Sequence, residues 1–257
     1  PMIKLENVSI AFHGNRVLDS INLDIAEGEI MVIIGPSGSG KSTILRLMIG
    51  LLRPTSGEIW INGQEISRLN EEELNVIRRK MGMVFQYSAL FDSMSVGENV
   101  AFGLRQHTSL TEDEIARTVR RRLRMVGLAG QEDVMPSQLS GGMKKRVSLA
   151  RAIAINPQIV LYDEPTAGLD PIMSTTIDRL ICSIRRILNV TSVVVTHHMS
   201  SAFNIADRIA MISGGKIIEI GTVSEIKKSA NPIVQQFIHG WTKPGTFAKR
   251  RARRSES

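Results

Sequence analysis

The residues best suited to chemistry lie in one short stretch, residues 35–43, which fits the pattern G-x-x-x-x-G-K-[ST]. Its glycines let successive backbone N–H groups face inward around an anion, and the helix predicted to follow adds its positive N-terminal end. We expect Lys41 to reach the β- and γ-phosphates and the Ser42 hydroxyl to ligate Mg²⁺. The pattern predicts a nucleotide triphosphate site formed by Gly35, Pro36, Ser37, Gly38, Ser39, Gly40, Lys41, Ser42 and Thr43.

Two carboxylates follow another apolar run. Asp163 and Glu164 come directly after residues 159–162, which have the length and composition of a buried strand. A strand-end Asp-Glu pair is often only a solvated turn, but an NTPase needs such acids at a strand end beside its phosphate loop. We therefore expect Asp163 to hold the Mg²⁺ shell and Glu164 to polarise the attacking water.

A second turn of small residues, Ser140-Gly141-Gly142, opens a helix and is another potential anion site. One chain does not need two such sites for one triphosphate. Two chains arranged head-to-tail do, because each nucleotide then lies between the Lys41 loop of one chain and the Ser140 turn of the other. The sequence therefore predicts a homodimer with ATP between its copies.

The surrounding elements predict an α/β fold. Short apolar segments over residues 3–34 and 57–63, separated by turn residues, indicate antiparallel strands. Apolar runs at 159–162 and 193–195 alternate with helical patterns and favour a parallel core, into which a mainly helical block, residues 87–156, is inserted. Thr111, Ser140 and Asp170 are expected helix N-caps.

Composition indicates a soluble, cytoplasmic protein. The chain has 257 residues, of which 42% are hydrophobic and 22% charged, and no run approaches the roughly 18 apolar residues of a membrane span. The lone Cys182 excludes an internal disulfide. Of the net charge of +7, residues 243–257 carry +5, with six basic residues and one acidic residue. The tail, residues 241–257, is expected to be either a flexible, solvated end or a segment attracted to anionic lipid headgroups.

Taken together, these motifs resemble the ATP-binding-cassette (ABC) ATPases over residues 2–230. The resemblance rests on the phosphate loop, Gln86, the Leu139-Ser140-Gly141-Gly142 turn, Asp163-Glu164, the run from Ala167 to Asp170, and His197. It implies a P-loop NTPase fold with a RecA-like parallel-sheet core, an antiparallel β subdomain and an inserted α-helical subdomain. The implied ATPase domain covers residues 1–240, with its helical subdomain at about 87–156.

The resemblance also implies roles for single residues. Gln86 would sense Mg²⁺ and the γ-phosphate, His197 would contact the γ-phosphate and hold the water with Glu164, and Asp170 would lie at the dimer interface. Phe12 either stacks on adenine or belongs to the core. His198 and Met143 depart from the commoner Asp and Gln of the family. The expected catalytic residues are Lys41, Gln86, Glu164 and His197, and the expected Mg²⁺ ligands are Ser42, Gln86 and Asp163.

Residues 88–108, together with the Met143-containing turn, are similar to one subgroup, the ATPases of MCE-type lipid transporters such as the Mla phospholipid system. That similarity implies an integral-membrane permease, an MCE-domain protein and, in some members, a small STAS-domain protein as partners. It places the chain at the cytoplasmic face of the inner membrane, held there by the permease. Nucleic acid is not expected, since no aromatic residues interleave with the basic tail. Two alternatives stay open: a transporter ATPase for another substrate, and a non-transport ABC ATPase of cofactor assembly.

Overall fold

The structure is a computed structural model that describes residues 1–240. The two interpretations of the basic tail fall on residues outside this range. The strands are Ile3–Phe12 (β1), Asn15–Ile25 (β2), Ile30–Ile34 (β3), Ser56–Ile61 (β4), Gln64–Glu65 (β5), Met81–Val84 (β6), Ile159–Asp163 (β7), Thr191–Thr196 (β8), Arg208–Ser213 (β9) and Lys216–Thr222 (β10).

The helices alternate with the later strands. They are Lys41–Met48 (α1), Glu71–Arg78 (α2), Val96–His107 (α3), Glu112–Met125 (α4), Gly141–Ile153 (α5), Pro171–Leu188 (α6), Met199–Ile205 (α7), Val223–Lys227 (α8) and Pro232–Ile238 (α9). Helices α3, α4 and α5 follow one another between β6 and β7, within the block that the sequence predicts to be helical. Over residues 1–240, none of these helices combines the length and the apolar character of a membrane span.

Two sheets form the framework, as the α/β prediction requires. The larger has six strands in the order β10-β9-β3-β8-β7-β6, and all of its neighbouring strands are parallel except the β9–β10 hairpin. The smaller is antiparallel, with the order β2-β1-β4-β5. In the parallel part, the carboxyl ends of β3, β7 and β8 lie side by side, which brings the residues after them to one edge of the sheet.

Strand β3 separates two hydrophobic cores. Ile30, Val32 and Ile34 face a core shared with helices α3 to α7, whereas Met31 and Ile33 face a core shared with α1 and the antiparallel sheet. Both faces of β3 are therefore buried, which explains why its sequence is continuously apolar rather than alternating. The strand lies at the centre of the molecule and fixes the position of the loop that follows it.

Two local details are not visible in the sequence pattern. Residues 3–5 and 8–10 belong to one strand, β1, whose pairing register shifts between Leu5 and Val8. Asn7, at this irregularity, has φ of 49° and so takes up the kink without ending the strand. Helices α7 and α8 were not predicted, because seven and five residues are too few to show a helical period.

Candidate active site

The phosphate loop connects β3 to α1 and is shaped by close packing. Gly40, the residue before α1, has φ of 99°, and a Cβ there would lie 2.6 Å from Cδ2 of Leu18. Only glycine fits both constraints without a shift of the Leu18 side chain. The hairpin therefore lies against the loop, and Phe12 is found at its turn, paired with Asn15 and 39% exposed.

Lys41 lies inside the loop that precedes it. Its Nζ donates hydrogen bonds to the carbonyl oxygens of Gly35 and Pro36, both at 2.9 Å. Burial lowers the pKa of Lys41, and the charges of Glu164 and Asp163 oppose this shift. The Ser39 hydroxyl is also buried and has no hydrogen-bond partner within residues 1–240. A buried ammonium group and an unpartnered hydroxyl in one glycine-rich loop suit a bound phosphate.

Ser42 and Asp163 meet beneath the loop. The Ser42 Oγ donates to Oδ1 of Asp163 at 2.9 Å, joining the first turn of α1 to the end of β7. Burial raises the pKa of Asp163, while the hydrogen bond from Ser42 lowers it. A hydroxyl and a carboxylate are the hard oxygen ligands that Mg²⁺ prefers, so the pair fits a magnesium ion bound next to a triphosphate.

Glu164 lies one residue further on, at the start of the turn after β7. Its backbone has φ of 48°, and its N–H donates to the carbonyl oxygen of Val195 on β8. Glu164 as a whole is 7% exposed, and its carboxylate lies 2.9 Å from Nδ1 of His197. Potential ligand atoms of Glu164, His197 and His198 lie within 4.8 Å of one another. The cluster can hold a water molecule for attack, and its atoms are also close enough to meet around a metal ion.

The site thus combines a phosphate loop, a pair of carboxylates at the end of β7 and a histidine at the end of the neighbouring strand, β8. A family model described as ABC transporter matches residues 18–167. The chain belongs to the ABC transporter ATPase family. The chain therefore binds ATP and hydrolyses it.

Among individual relatives of this ATPase, the intermembrane phospholipid transport system ATP-binding protein MlaF of Haemophilus influenzae is 44% identical, covering 93% of this chain and 90% of that protein. The methionine import ATP-binding protein MetN of Carboxydothermus hydrogenoformans is 43% identical, covering 93% of this chain and 72% of that protein. A solved dimeric structure of the ATP-binding cassette MJ0796, bound to ADP and Pi, is 36% identical, with a TM-score of 0.79 over 86% of this chain and 99% of that chain.

Four of the sequence-predicted positions make no hydrogen bond to this group within residues 1–240 of the ATPase chain. Ser140, Gly141 and Gly142 open α5, where the Ser140 Oγ accepts the Met143 N–H at 3.2 Å. Asp170 caps α6 through its Oδ1, which accepts the N–H groups of Ile172 and Met173 at 2.9 Å. No hydrogen bond within residues 1–240 joins the Ser140 turn to the phosphate loop. Within one copy, therefore, no hydrogen bond brings this turn to the loop that would hold the phosphate.

Gln86 follows β6 and is half-buried, and its carbonyl oxygen accepts a hydrogen bond from Lys145 Nζ. Sequence reasoning missed Lys145, which is 3% exposed. It lies near enough to Asp163 and Glu164 for both of their charges to act on its pKa. Burial lowers the pKa of Lys145 to about 8, against the effect of those carboxylates. The sequence did contain a signal for Lys145. It lies three residues after Gly142 and four before Leu149, a helical spacing that places it on the buried face of α5.

Proposed function

We propose that this ATPase is the energising subunit of a transporter that moves phospholipid across the cell envelope. The observation that carries the proposal is the 44% identity, over nearly all of both chains, with a protein named for intermembrane phospholipid transport. The similarity of residues 88–108 to the MCE-type subgroup supports it. In this proposal residues 1–240 are the ATPase domain, and residues 87–156 form its inserted helical subdomain.

The geometry of the site supports the following proposal for hydrolysis. Residues 35–43 hold the phosphates through their N–H groups, Lys41 balances the charge of the β- and γ-phosphates, and Phe12 stacks on adenine. Mg²⁺, when bound, neutralises charge on the β- and γ-phosphate oxygens. Ser42, Asp163 and Gln86 are its proposed ligands. Glu164, oriented by His197, polarises a water that attacks the γ-phosphorus, so that the bond to the bridging oxygen breaks and ADP and phosphate leave.

The proposed working unit is a head-to-tail homodimer. Within one copy the Ser140 turn makes no hydrogen bond to the phosphate loop over the described residues, although it is built as an anion site at a helix N-terminus. A second copy can supply the missing half, with Asp170 at the contact between the two sites. Closure of the pair brings the reacting groups together and excludes bulk water. These two effects provide most of the rate acceleration.

The proposed output is work on an integral-membrane permease associated with an MCE-domain protein, with a STAS-domain protein as a possible further subunit. Three aromatic side chains close to Gln86 in the sequence are exposed: Phe85, Phe91 and especially Tyr87, which is 88% exposed. Exposed aromatic side chains of this kind suit a short helix of a partner. The ATPase would then lie at the cytoplasmic face of the inner membrane, held there by its permease.

A second candidate is a transporter ATPase for a different substrate, favoured by the 43% identity with a methionine import protein. A cofactor-assembly ATPase is a third, non-transport candidate. Detergent solubilisation with Glu164→Gln, followed by identification of the bound proteins and lipids, separates all three. A multi-span protein with phospholipid supports the proposal. A multi-span protein with a solute-binding subunit and no lipid favours the second candidate, and a soluble scaffold favours the third.

A further inference from the structure

Two cations of helix α5 hold the segment that contains Gln86. Lys145 Nζ donates to the carbonyl oxygens of Phe85, at 2.9 Å, and Gln86. Arg151 donates from its two terminal nitrogens to Ser88 and Ala89, both at 2.7 Å. Four of the five carbonyls of residues 85–89 are thus bound by one helix.

These contacts are made without neutralising carboxylates. Neither Lys145 nor Arg151 forms an ion pair within residues 1–240, and burial lowers the pKa of both groups. The partial negative charge of the carbonyls stabilises both cations, and for Lys145 the more distant charges of Asp163 and Glu164 act in the same direction. Charged hydrogen bonds of this kind are stronger than neutral ones.

The backbone of the held segment is in a conformation that its own sequence does not favour. Ser88 has φ of 60° and Ala89 has φ of 50°, two consecutive left-handed residues of which neither is glycine. The carbonyls of these two residues are the ones bound by Arg151. Contacts with α5 therefore determine the path of the segment, rather than local preference.

Helix α5 also begins at the Ser140 turn. Lys145 lies about one turn from Ser140, and Arg151 about three turns, on a single uninterrupted helix. A helix of this length moves as a unit, so a displacement of residues 85–89 must be accompanied by a displacement of the turn.

From this geometry we infer that Lys145 and Arg151 are positioning residues that fasten the Gln86 segment to the Ser140 turn. ATP sensed by Gln86 in one site then reorients the turn that completes the site shared with the second copy. The inference rests on the head-to-tail dimer of the proposed function. It assigns the linkage to two side chains whose hydrogen bonds, within residues 1–240, all go to backbone carbonyl oxygens.

The test uses the full chain carrying Glu164→Gln, with Lys145→Met added, and Lys144→Met as the matched control. Lys144 is the neighbouring lysine of α5, and no hydrogen bond of its side chain is found within residues 1–240. Two quantities are measured: the affinity of dilute, monomeric protein for a fluorescent ATP analogue, and the ATP concentration that produces half-maximal dimer by light scattering.

We expect Lys145→Met to bind the analogue within about threefold of the control but to need at least about tenfold more ATP to dimerise, the equivalent of one charged hydrogen bond. Lys145→Arg, which keeps the cation, should dimerise at nearly the ATP concentration of the control. Arg151→Lys, which loses the forked donors, should need an ATP concentration between those of the control and Lys145→Met. A purely structural role would instead lower analogue binding and thermal stability together.

The inference is overturned if Lys145→Met and Lys144→Met dimerise at the same ATP concentration. It is also overturned if analogue affinity falls as much as dimerisation does. If the Glu164→Gln parent itself fails to dimerise with ATP, the head-to-tail dimer fails and the inference falls with it. The parent and the paired variants thus separate the two failures.

Discussion

The Nδ1 atom of His197 lies 2.9 Å from Oε1 of Glu164, and the His197 backbone N–H donates to Oε2 of the same carboxylate at 3.3 Å. Both oxygens are therefore held by one residue, which follows β8, the strand next to β7. Because Glu164 is also anchored through its own N–H to Val195, the carboxylate is oriented before water or substrate arrives. The first two predictions follow from this relationship.

Replacing Glu164 with glutamine should remove the base while preserving the size of the side chain. We expect the ATP turnover rate to fall by roughly 10²–10⁴, the usual contribution of a positioned general base, with ATP affinity unchanged. The measurement is steady-state phosphate release alongside equilibrium ATP binding. Glu72→Gln, on the exposed face of α2, is the matched control. Turnover close to that control would remove Glu164 from the base role.

Removing the imidazole of His197 should leave Glu164 in place with one of its two oxygens no longer held. We expect His197→Ala to lower kcat by about 10²-fold, the scale of a misplaced reacting group, with a smaller change in KM. His107→Ala, at the exposed end of α3, is the matched control. Equal losses in the two variants would contradict a specific role for His197.

Ser42→Ala tests the proposed magnesium site. The change removes one oxygen ligand and the hydrogen bond to Asp163, so we expect half-maximal hydrolysis to require about tenfold more Mg²⁺. Binding of ATP in the presence of EDTA should stay unchanged, since the loop N–H groups and Lys41 remain. An unaltered Mg²⁺ titration would argue against Ser42 as a ligand.

Asn99 supports the segment that displays the exposed aromatics. It is fully buried, accepts the N–H of Phe91, and donates to the carbonyl oxygens of Phe91, Met94 and Ser95. Asn99→Ala leaves the Phe91 N–H and the Met94 carbonyl oxygen without this partner, so we expect the free energy of unfolding to fall by about 1–3 kcal/mol. Urea denaturation measures this, with Gln106→Ala on the exposed face of α3 as the control. A loss no greater than that of the control would refute the supporting role.

Tyr87→Ala tests the proposed permease contact. Because most of the ring is exposed, the fold should tolerate the change, and we expect the amount of membrane protein that copurifies to drop severalfold. Val76→Ala, another exposed apolar side chain but on helix α2, is the matched control. Full recovery of the permease with Tyr87→Ala would place the contact elsewhere.

Features that depend on neighbouring residues in the chain were predictable from the sequence. The phosphate loop combines fixed residue types at fixed spacing, and Thr111 and Asp170 cap helices α4 and α6 as expected, because capping is a local hydrogen bond. The parallel core followed from buried strands alternating with helices. The family assignment was predicted on the same motifs and is confirmed by the family match over residues 18–167.

Features that depend on the tertiary arrangement were not predictable. Lys145 and Arg151 bind carbonyls about sixty residues earlier in the chain, and although its spacing places Lys145 on the buried face of α5, no local pattern identifies these carbonyls as partners. The role of Asn99 is similarly hidden, because its partners are backbone groups that any sequence provides. The roles given to Gln86, Phe12 and Asp170 stay predictions, since they depend on a nucleotide and a second copy.

The head-to-tail arrangement is tested most directly by mixing two defective forms in the Glu164→Gln background. One carries Lys41→Ala and the other Ser140→Arg, so that a mixed dimer has one site with both halves intact. We predict that neither form alone traps labelled ATP after rapid gel filtration, whereas the mixture traps close to one ATP per mixed dimer. A mixture that traps no more ATP than its separate components would contradict a site shared between two copies.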